Sequence, residues 1–277
     1  MSRSRSSLLC SSVAWCGISL ATSIVPCLAV TAAPGRGSSS LASPSSPSCP
    51  SCPIQLEADY GALALDIADS WMAATPADSM RWNWEEAVLM LGMQAVHQAT
   101  GSPEVLNYLQ AWIDFHIDRG IRVNRNDAVV PATSALYLYD QLGDPIYLEP
   151  VDECATYLAD RAPRLSDGAI AHTLATPSQA WVDSLFMFGT FYTLEGAYAG
   201  RLESYDALAE QYRLFASHLV SSEYDLYWHM YSETLDQTVP STPTFWGRGN
   251  GWALASLAIL LTDLPIDHPE RPALEAM

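Results

Sequence analysis

From Ile54 onward, apolar residues recur every three to four positions in successive segments of the chain. This period matches the turn of an α-helix, so each segment is predicted to form a helix that buries one face. The segments read ALALDIADSWM, EEAVLMLGMQAVHQA, VLNYLQAWIDFHI, ATSALYLYDQL, YLEPVDECATYLADR, WVDSLFMFGTFYTLEGAY, YDALAEQYRLFASHL and GWALASLAILL. No convincing run of alternating apolar and polar residues accompanies them, so strands are not expected. The pattern predicts an all-α domain.

The boundaries between these helices are repeated along the chain. The stretches ATGSPEVLNYL, QLGDPIYLEPV and YAGRLESYDAL each contain a helix end, a glycine, a short turn and a new helix, with the glycines at Gly101, Gly143 and Gly200. DLPIDHPERPAL has the same shape with Pro265 in place of the glycine, and both residue types stop helices. Helices before the turns are strongly apolar and those after them are amphipathic, which predicts the inner and outer layers of an α/α toroid.

The number of helices bears on the completeness of this toroid. The pattern gives four inner helices and four full outer helices, and a fifth outer helix begins near Glu270. A closed ring of six hairpins would need more chain. The expected fold is therefore an incomplete (α/α)6-barrel with about four of its six helical hairpins, truncated at its C-terminal end.

The N-terminal region has a different composition. Two arginines in the first five residues precede an uncharged run from Ser6 to Gly35, which ends near the small residues of a cleavage site. This pattern predicts a signal peptide over residues 1–33 and an exported protein, with an uncleaved membrane anchor as the alternative. Residues 34–53 are rich in Ser and Pro and are expected to be a linker. The toroid domain is assigned to residues 54–277.

Charge and cysteine content exclude several functions. The chain has 13 arginines and no lysine against 31 acidic residues, a net charge of −18. Such a chain is not expected to bind nucleic acid or an anionic membrane through its overall field. Cys49 and Cys52 lie in the linker and favour a local disulfide or free thiols, and Cys154 is expected in the core. No second cysteine pair or histidine spacing completes a metal site, so no metal is predicted.

The candidate functional residues precede the inner helices, where the central funnel of a toroid binds its ligand. Aromatic residues, two carboxylates, two histidines and one arginine occur at these equivalent points of the repeat. They are Trp84, Asp127, His172, Trp181, Asp183, His229, Trp246, Arg248 and Trp252. Aromatic faces stack on sugar rings, and an arginine can donate two parallel hydrogen bonds to a uronate carboxylate. The pattern indicates a site for an acidic sugar.

Alternatives exist for the charged members of this set. Asp183 lies in an apolar run, where desolvation would raise its pKa, but the start of a helix would lower it. Asp183 could equally be a capping or ion-paired residue. Asp127 follows Arg122 and Arg125, and alone it is better explained as a surface salt-bridge partner. Taken singly, the two histidines are more typical of core or capping positions than of catalysis.

Four stretches together resemble a group of two related enzyme families. AWVDSLFMFGTFY, LYWHMYSE, FWGRGNGW with LTDLPIDHP downstream, and RNDAVVPATSALYLYDQLGDPIYLE are similar to the unsaturated glucuronyl and rhamnogalacturonyl hydrolases, glycoside hydrolase families 88 and 105. The resemblance runs from about Ile54 to the end of the chain. It implies an (α/α)6-barrel that acts without metal or organic cofactor on oligosaccharides left by polysaccharide lyases. These carry a 4,5-unsaturated uronic acid at the non-reducing end, and rhamnogalacturonan or pectin is the favoured source.

The resemblance also implies roles for the matching residues. Asp183 is the expected general acid/base, which protonates C4 of the vinyl ether before water adds at C5, and Asp127 is the aspartate that helps to hold substrate and water. The remaining residues are expected to bind the substrate: His172, His229, Trp246, Arg248 and Trp252, with Trp181 and Trp84 as looser matches.

Two other functions stay open. The chain could be a degenerate or fragmentary sugar-binding toroid without turnover, which would keep the aromatic and arginine groove. It could also be another α/α-toroid enzyme, such as a sugar epimerase or an endo-glycosidase that cleaves saturated chains. No dinucleotide fingerprint and no G-x-S-x-G motif are present, which argues against dehydrogenase and serine-hydrolase chemistry.

Overall fold

A computed structural model describes residues 60–277. The predicted signal peptide, the linker and Cys49 and Cys52 lie outside the described residues, so these assignments stay predictions. The described helices are α1 (Tyr60–Ala74), α2 (Trp84–Thr100), α3 (Pro103–Arg119), α4 (Ala132–Leu142), α5 (Leu148–Thr156), α6 (Ser184–Ala199), α7 (Glu203–Leu219), α8 (Gly247–Asp263) and α9 (Arg271–Glu275). The predicted helix around Cys154 ends earlier than expected, because Tyr157–Arg161 forms a π-helical turn.

The helices form the two predicted layers. The inner helices follow one another along an arc, with α2 packed against α4, α4 against α6, and α6 against α8. Helix α6 is buried on all sides from Ser184 to Gly196, as expected for an inner helix. The outer helix α7 instead buries one face, which carries Leu208, Tyr212 and Phe215. This difference follows from the sequence, because α7 carries a polar face for solvent and α6 does not.

The turns between inner and outer helices have the predicted geometry. Gly101, Gly143 and Gly200 end α2, α4 and α6 with φ values of 69°, 68° and 70°. This left-handed conformation costs little for glycine and reverses the chain within one residue. The fourth turn uses a different stop, because Leu264 is extended ahead of Pro265. The repeated hairpins are therefore determined by the helix-stopping residue at each turn.

A small sheet corrects the expectation that strands are absent. β1 (Gln179–Trp181), β2 (Met230–Ser232) and β3 (Gln237–Val239) form an antiparallel sheet in that order. Strands of three residues are too short to show an alternating pattern, and β1 pairs with a segment about fifty residues away, with Trp181 opposite Met230. The sheet joins the loops that precede α6 and α8.

The described residues also bear on the cysteine, metal and membrane expectations. Cys154 is fully buried, as predicted, against the carbonyl groups of Ala128 and Val129. Between residues 60 and 277 no three His, Cys, Asp or Glu side chains are grouped so that they could hold a metal ion. Over the same range no helix combines the length and apolarity needed to cross a bilayer. Independence from metal stays a prediction.

Candidate active site

The loops before the four inner helices converge on one cavity of about 340 Å³. All nine candidate residues named from the sequence line it, together with Met187 of α6, which was not predicted. The sheet contributes to this convergence, since the backbone N–H of Val182 donates to the carbonyl of His229 at 3.0 Å. The cavity is thus lined by residues that are up to 168 positions apart in the sequence, from Trp84 to Trp252.

Asp183 lies at the N-terminal boundary of α6, and its side chain is only 14% exposed. Its Oδ2 is buried without a hydrogen-bond partner among the described residues. Nε2 of His229 lies 3.6 Å from this oxygen. Burial raises the pKa of Asp183, and this outweighs the lowering by its own backbone N–H, His229 and Arg248. The raising of the pKa by desolvation is therefore larger than its lowering at the start of the helix. The carboxyl group of Asp183 is more readily protonated than a free carboxyl group.

Asp127 lies in the 3-10 turn Asn126–Ala128 and faces the same cavity. Its Oδ2 is 3.7 Å from Nε of Arg125, so the predicted partner is present. The ion pair is only partly at the surface, because the side chains of Arg125 and Asp127 are 42% and 19% exposed. Burial raises the pKa of Asp127, Arg125 opposes this, and the negative charge of Asp183 raises it further. Two carboxyl groups with raised pKa thus share one cavity.

His172 is held against the cavity wall. Its ring stacks on Trp181, with centroids 4.3 Å apart and planes inclined by 8°. Its Nδ1 lies 3.1 Å from Oγ of Ser184. Burial lowers the pKa of His172 to about 4, with further lowering by His229 and Arg125. The imidazole is therefore neutral at physiological pH.

Aromatic rings make up much of the remaining wall. The His229 ring meets Trp181 edge-on at 5.1 Å and Trp246 edge-on at 5.0 Å. Trp84 of α2 and Trp252 of α8, which also line the cavity, approach to 6.3 Å between ring centroids. Such rings present apolar faces of the size of a sugar ring, and their packing fixes their orientation before any ligand binds.

Arg248 stands among these rings. Its guanidinium carbon lies 4.2 Å from the ring centroid of Trp246 and 5.8 Å from that of Trp84. No ion pair or hydrogen bond of its side chain occurs among residues 60–277. Stacking occupies the faces of the guanidinium and leaves its N–H groups available at the edge. Arg248 is therefore placed to bind an anionic group that enters the cavity.

Three supporting polar residues were missed from the sequence. Asn126 and Ser184 are fully buried behind His172, and Asn250 of α8 is half-buried behind Trp246. The amide of Asn250 accepts from the N–H of Tyr227 at 2.8 Å and donates to its carbonyl at 2.9 Å and to that of Trp246 at 3.1 Å. The sequence could have indicated these three residues, because each is a polar residue inside an apolar or glycine-rich motif. It could not indicate their hydrogen-bond partners.

We expect Asn250→Ala to lower the free energy of unfolding by about 1–2 kcal/mol, because backbone groups of Tyr227 lose their partner in a part-buried position. The change also releases the start of α8 from the segment that leads to His229. Urea denaturation followed by circular dichroism measures the effect. Asn107→Ala is the matched control, since Asn107 is exposed on α3. Equal stability of the two variants would contradict the bridging role of Asn250.

An arc of helical hairpins around an aromatic cavity with buried carboxyl groups defines the described residues as part of an α/α toroid. A glycoside hydrolase of family 105 from C. acetobutylicum ATCC 824 has a similar structure, with a TM-score of 0.68 at 24% identity over 78% of this chain and 62% of that chain. The family model described as Glycosyl Hydrolase Family 88 matches residues 63–277. The chain belongs to this family, which confirms the resemblance found in the sequence.

Two relatives are similar in sequence. The unsaturated rhamnogalacturonyl hydrolase YesR of Bacillus subtilis (strain 168) is 29% identical over 193 residues, which cover 68% of this chain and 56% of the relative. An unsaturated 3S-rhamnoglycuronyl hydrolase of Alteromonas sp. (strain LOR) is 28% identical over 91 residues, 33% of this chain and 22% of the relative. The chain thus spans little more than half the length of YesR.

Proposed function

We propose that the protein is a hydrolase that removes a 4,5-unsaturated uronic acid from the non-reducing end of oligosaccharides produced by polysaccharide lyases. The observation that carries this proposal is the buried, unpartnered carboxyl oxygen of Asp183 inside the arginine-containing aromatic cavity. A carboxyl group whose pKa is raised by burial gives up its proton less readily to water and is better suited to act as a general acid. Membership in Glycosyl Hydrolase Family 88 supports the same reaction class.

The proposed reaction begins with proton transfer from the carboxyl group of Asp183 to C4 of the C4=C5 bond. The positive charge that develops at C5 is shared with the ring oxygen, and water then forms a bond to C5. The proton that this water loses returns to the Asp183 carboxylate, so the acid is regenerated. The hemiketal at C5 then opens by breaking the bond between C5 and the ring oxygen, and the hemiacetal left at C1 releases the rest of the chain as an alcohol. Asp183 thus acts first as acid and then as base.

The other cavity residues are proposed to hold the substrate. Asp127, which shares the cavity with Asp183, is proposed to accept hydrogen bonds from a substrate hydroxyl or from the attacking water. Arg248 is proposed to bind the uronate carboxylate through its free N–H groups. Neutral His172 and its neighbour His229 contribute hydrogen-bonding groups beside the sugar. Trp181, Trp246, Trp252 and Trp84 are proposed to stack on apolar sugar faces.

The favoured substrate comes from rhamnogalacturonan or a related pectin. The names of both relatives specify an unsaturated uronyl substrate that contains rhamnose, one rhamnogalacturonyl and one 3S-rhamnoglycuronyl. YesR supports the first source, since its similarity covers 68% of this chain against 33% for the second relative. Ulvan and glycosaminoglycan digests are the comparison substrates.

The test follows the ultraviolet absorption of the conjugated C4=C5 bond. We expect this band to disappear when the purified protein is incubated with lyase-digested rhamnogalacturonan, because hydration at C4 and C5 removes the double bond. Lyase-digested ulvan and glycosaminoglycan define the substrate range, and the same oligosaccharides without the double bond serve as the negative control.

Each other outcome contradicts the proposal in a different way. Calorimetric binding of the unsaturated oligosaccharides by folded protein, without loss of the band, would identify a sugar-binding protein instead of an enzyme. Cleavage of the saturated control would identify an endo-glycosidase.

A further inference from the structure

Behind His172 lies a short chain of hydrogen bonds that the cavity does not expose. Ser184, the first residue of α6, is fully buried, and so is Asn126. The Nδ2 of Asn126 lies 3.0 Å from Oγ of Ser184, and this Oγ lies 3.1 Å from Nδ1 of His172. Among the described residues, Oγ of Ser184 has no third hydrogen-bond partner.

The direction of each hydrogen bond can be assigned by starting from the side-chain amide of Asn126. The side-chain amide of Asn126 also lies 3.1 Å from the carbonyl oxygen of Ala171, which can only accept. The contacting atom is therefore the amide nitrogen, since the flipped amide would place two oxygens at that distance. Because this nitrogen only donates, Oγ of Ser184 accepts from Asn126.

The Ser184 hydroxyl hydrogen must then be donated elsewhere. A fully buried hydroxyl that does not donate is costly, and Nδ1 of His172 is the remaining partner among the described residues. Nδ1 therefore accepts a hydrogen bond and carries no proton. The proton of the neutral imidazole is on Nε2 instead.

We infer that Asn126 and Ser184 are positioning residues that hold His172 in its Nε2–H tautomer, so that the imidazole presents a hydrogen-bond donor to the cavity. Nδ1 faces the buried Ser184, so the edge with Nε2 is the one left to face the cavity that His172 lines. The stacking of the ring on Trp181 keeps this orientation. The low pKa of His172, about 4, agrees with a ring that stays neutral.

This assignment limits what His172 can do in the reaction. A ring with Nδ1 occupied by Ser184 and Nε2 protonated cannot take a proton from a substrate carbon or from water. It can donate a hydrogen bond to a hydroxyl, ring or carboxylate oxygen of the sugar; naming the sugar as an unsaturated uronide rests on the proposed function. The inference also argues against an epimerase in which a pair of histidines exchanges protons with the sugar, because His172 has no free basic nitrogen.

The tautomer can be measured in the unliganded protein without any assay of activity. Protein labelled with ¹⁵N at its six histidines is studied by long-range ¹H–¹⁵N correlation NMR, and His172→Gln assigns the signal. We expect an unprotonated Nδ1 and a protonated Nε2 in the wild type at neutral pH. A protonated Nδ1 at that pH would overturn the inference.

Variants of the buried hydroxyl separate positioning from simple packing. Ser184→Ala removes the donor to Nδ1, so we expect protonation to shift partly to Nδ1 and kcat/KM to fall by about 10- to 100-fold, as for orienting partners of ligating histidines. Ser184→Thr keeps the hydroxyl and should restore the wild-type tautomer. If neither variant folds, the wild-type spectrum alone decides.

The inference and the proposed function fail separately. The expected tautomer together with no turnover of any unsaturated digest would contradict the function and leave the inference intact. Turnover together with a protonated Nδ1 would contradict the inference alone.

Discussion

The Asp183→Asn variant is expected to lose turnover by about 10²- to 10⁴-fold, the contribution of a positioned general acid, while keeping its fold and its affinity for substrate. Asparagine fills the same volume but has no proton acidic enough to transfer to C4. The buried Oδ2 of Asp183 has no hydrogen-bond partner among residues 60–277, so the substitution breaks no hydrogen bond at that oxygen. The loss should therefore appear in kcat and hardly in KM.

The raised pKa of Asp183 gives this prediction two further measurable consequences. The proposed acid must be protonated to act, so kcat/KM of the wild type should fall as the pH rises through the raised pKa of Asp183. In the folded protein ionisation of Asp183 is disfavoured relative to the unfolded chain. Ionisation of Asp183 therefore lowers the free energy of unfolding. This loss is absent at a pH below the pKa that Asp183 has in the unfolded chain, and it is complete at a pH above the pKa that Asp183 has in the folded protein. The neutral Asn variant should unfold at pH 7 at the same temperature or a higher one.

The measurements are the decay of the C4=C5 absorption, calorimetric binding and thermal unfolding. Asp118→Asn is the matched control, because Asp118 is an exposed carboxylate on α3 and does not line the cavity. The control should behave as the wild type in all three. Full activity of Asp183→Asn would eliminate Asp183 as the acid, and a large loss of stability would assign it a structural role.

The architecture was predictable because it is encoded locally. The apolar run of α6 has no polar face, and its burial from Ser184 to Gly196 follows directly. The glycine turns are local too, because the left-handed conformation at Gly101, Gly143 and Gly200 depends on those residues. The short sheet was missed since its strands are stabilised by pairing across distant loops, and three residues carry no readable pattern.

The sequence was sufficient to predict which residues form the site, but not their pKa values or the hydrogen bonds that support them. The candidate residues were found by their equivalent positions in the repeat and by the resemblance of their motifs, and they share one cavity. The pKa of Asp183 could not be decided from its neighbours in sequence, because burial, His229 and Arg248 act on it through the fold. The pairing of Asn126 with Ser184 spans 58 positions, so no local signal indicated their support of His172.

The Arg248→Ala variant is expected to weaken the binding of acidic oligosaccharides by about 10- to 100-fold, the range of a hydrogen bond to a charged group, and to change the binding of neutral oligosaccharides much less. The guanidinium is stacked on Trp246 at 4.2 Å, and its N–H edge is unused among the described residues. Stacking alone would serve a neutral sugar, whereas the planar pair of unused donors matches the two oxygens of a carboxylate.

Two further variants identify which property of Arg248 matters. Arg248→Lys keeps the positive charge but loses the planar pair of donors, so its affinity for the acidic ligand should lie between those of alanine and the wild type. Arg119→Ala is the matched control, because Arg119 also stacks on an aromatic ring, Phe115 at 4.9 Å, but lies at the end of α3. Calorimetric titration with an unsaturated uronide and with its neutral counterpart measures both affinities. Equal losses for the two ligands in Arg248→Ala would mean that Arg248 only orders Trp246 and Trp84, since a carboxylate contact must discriminate between them.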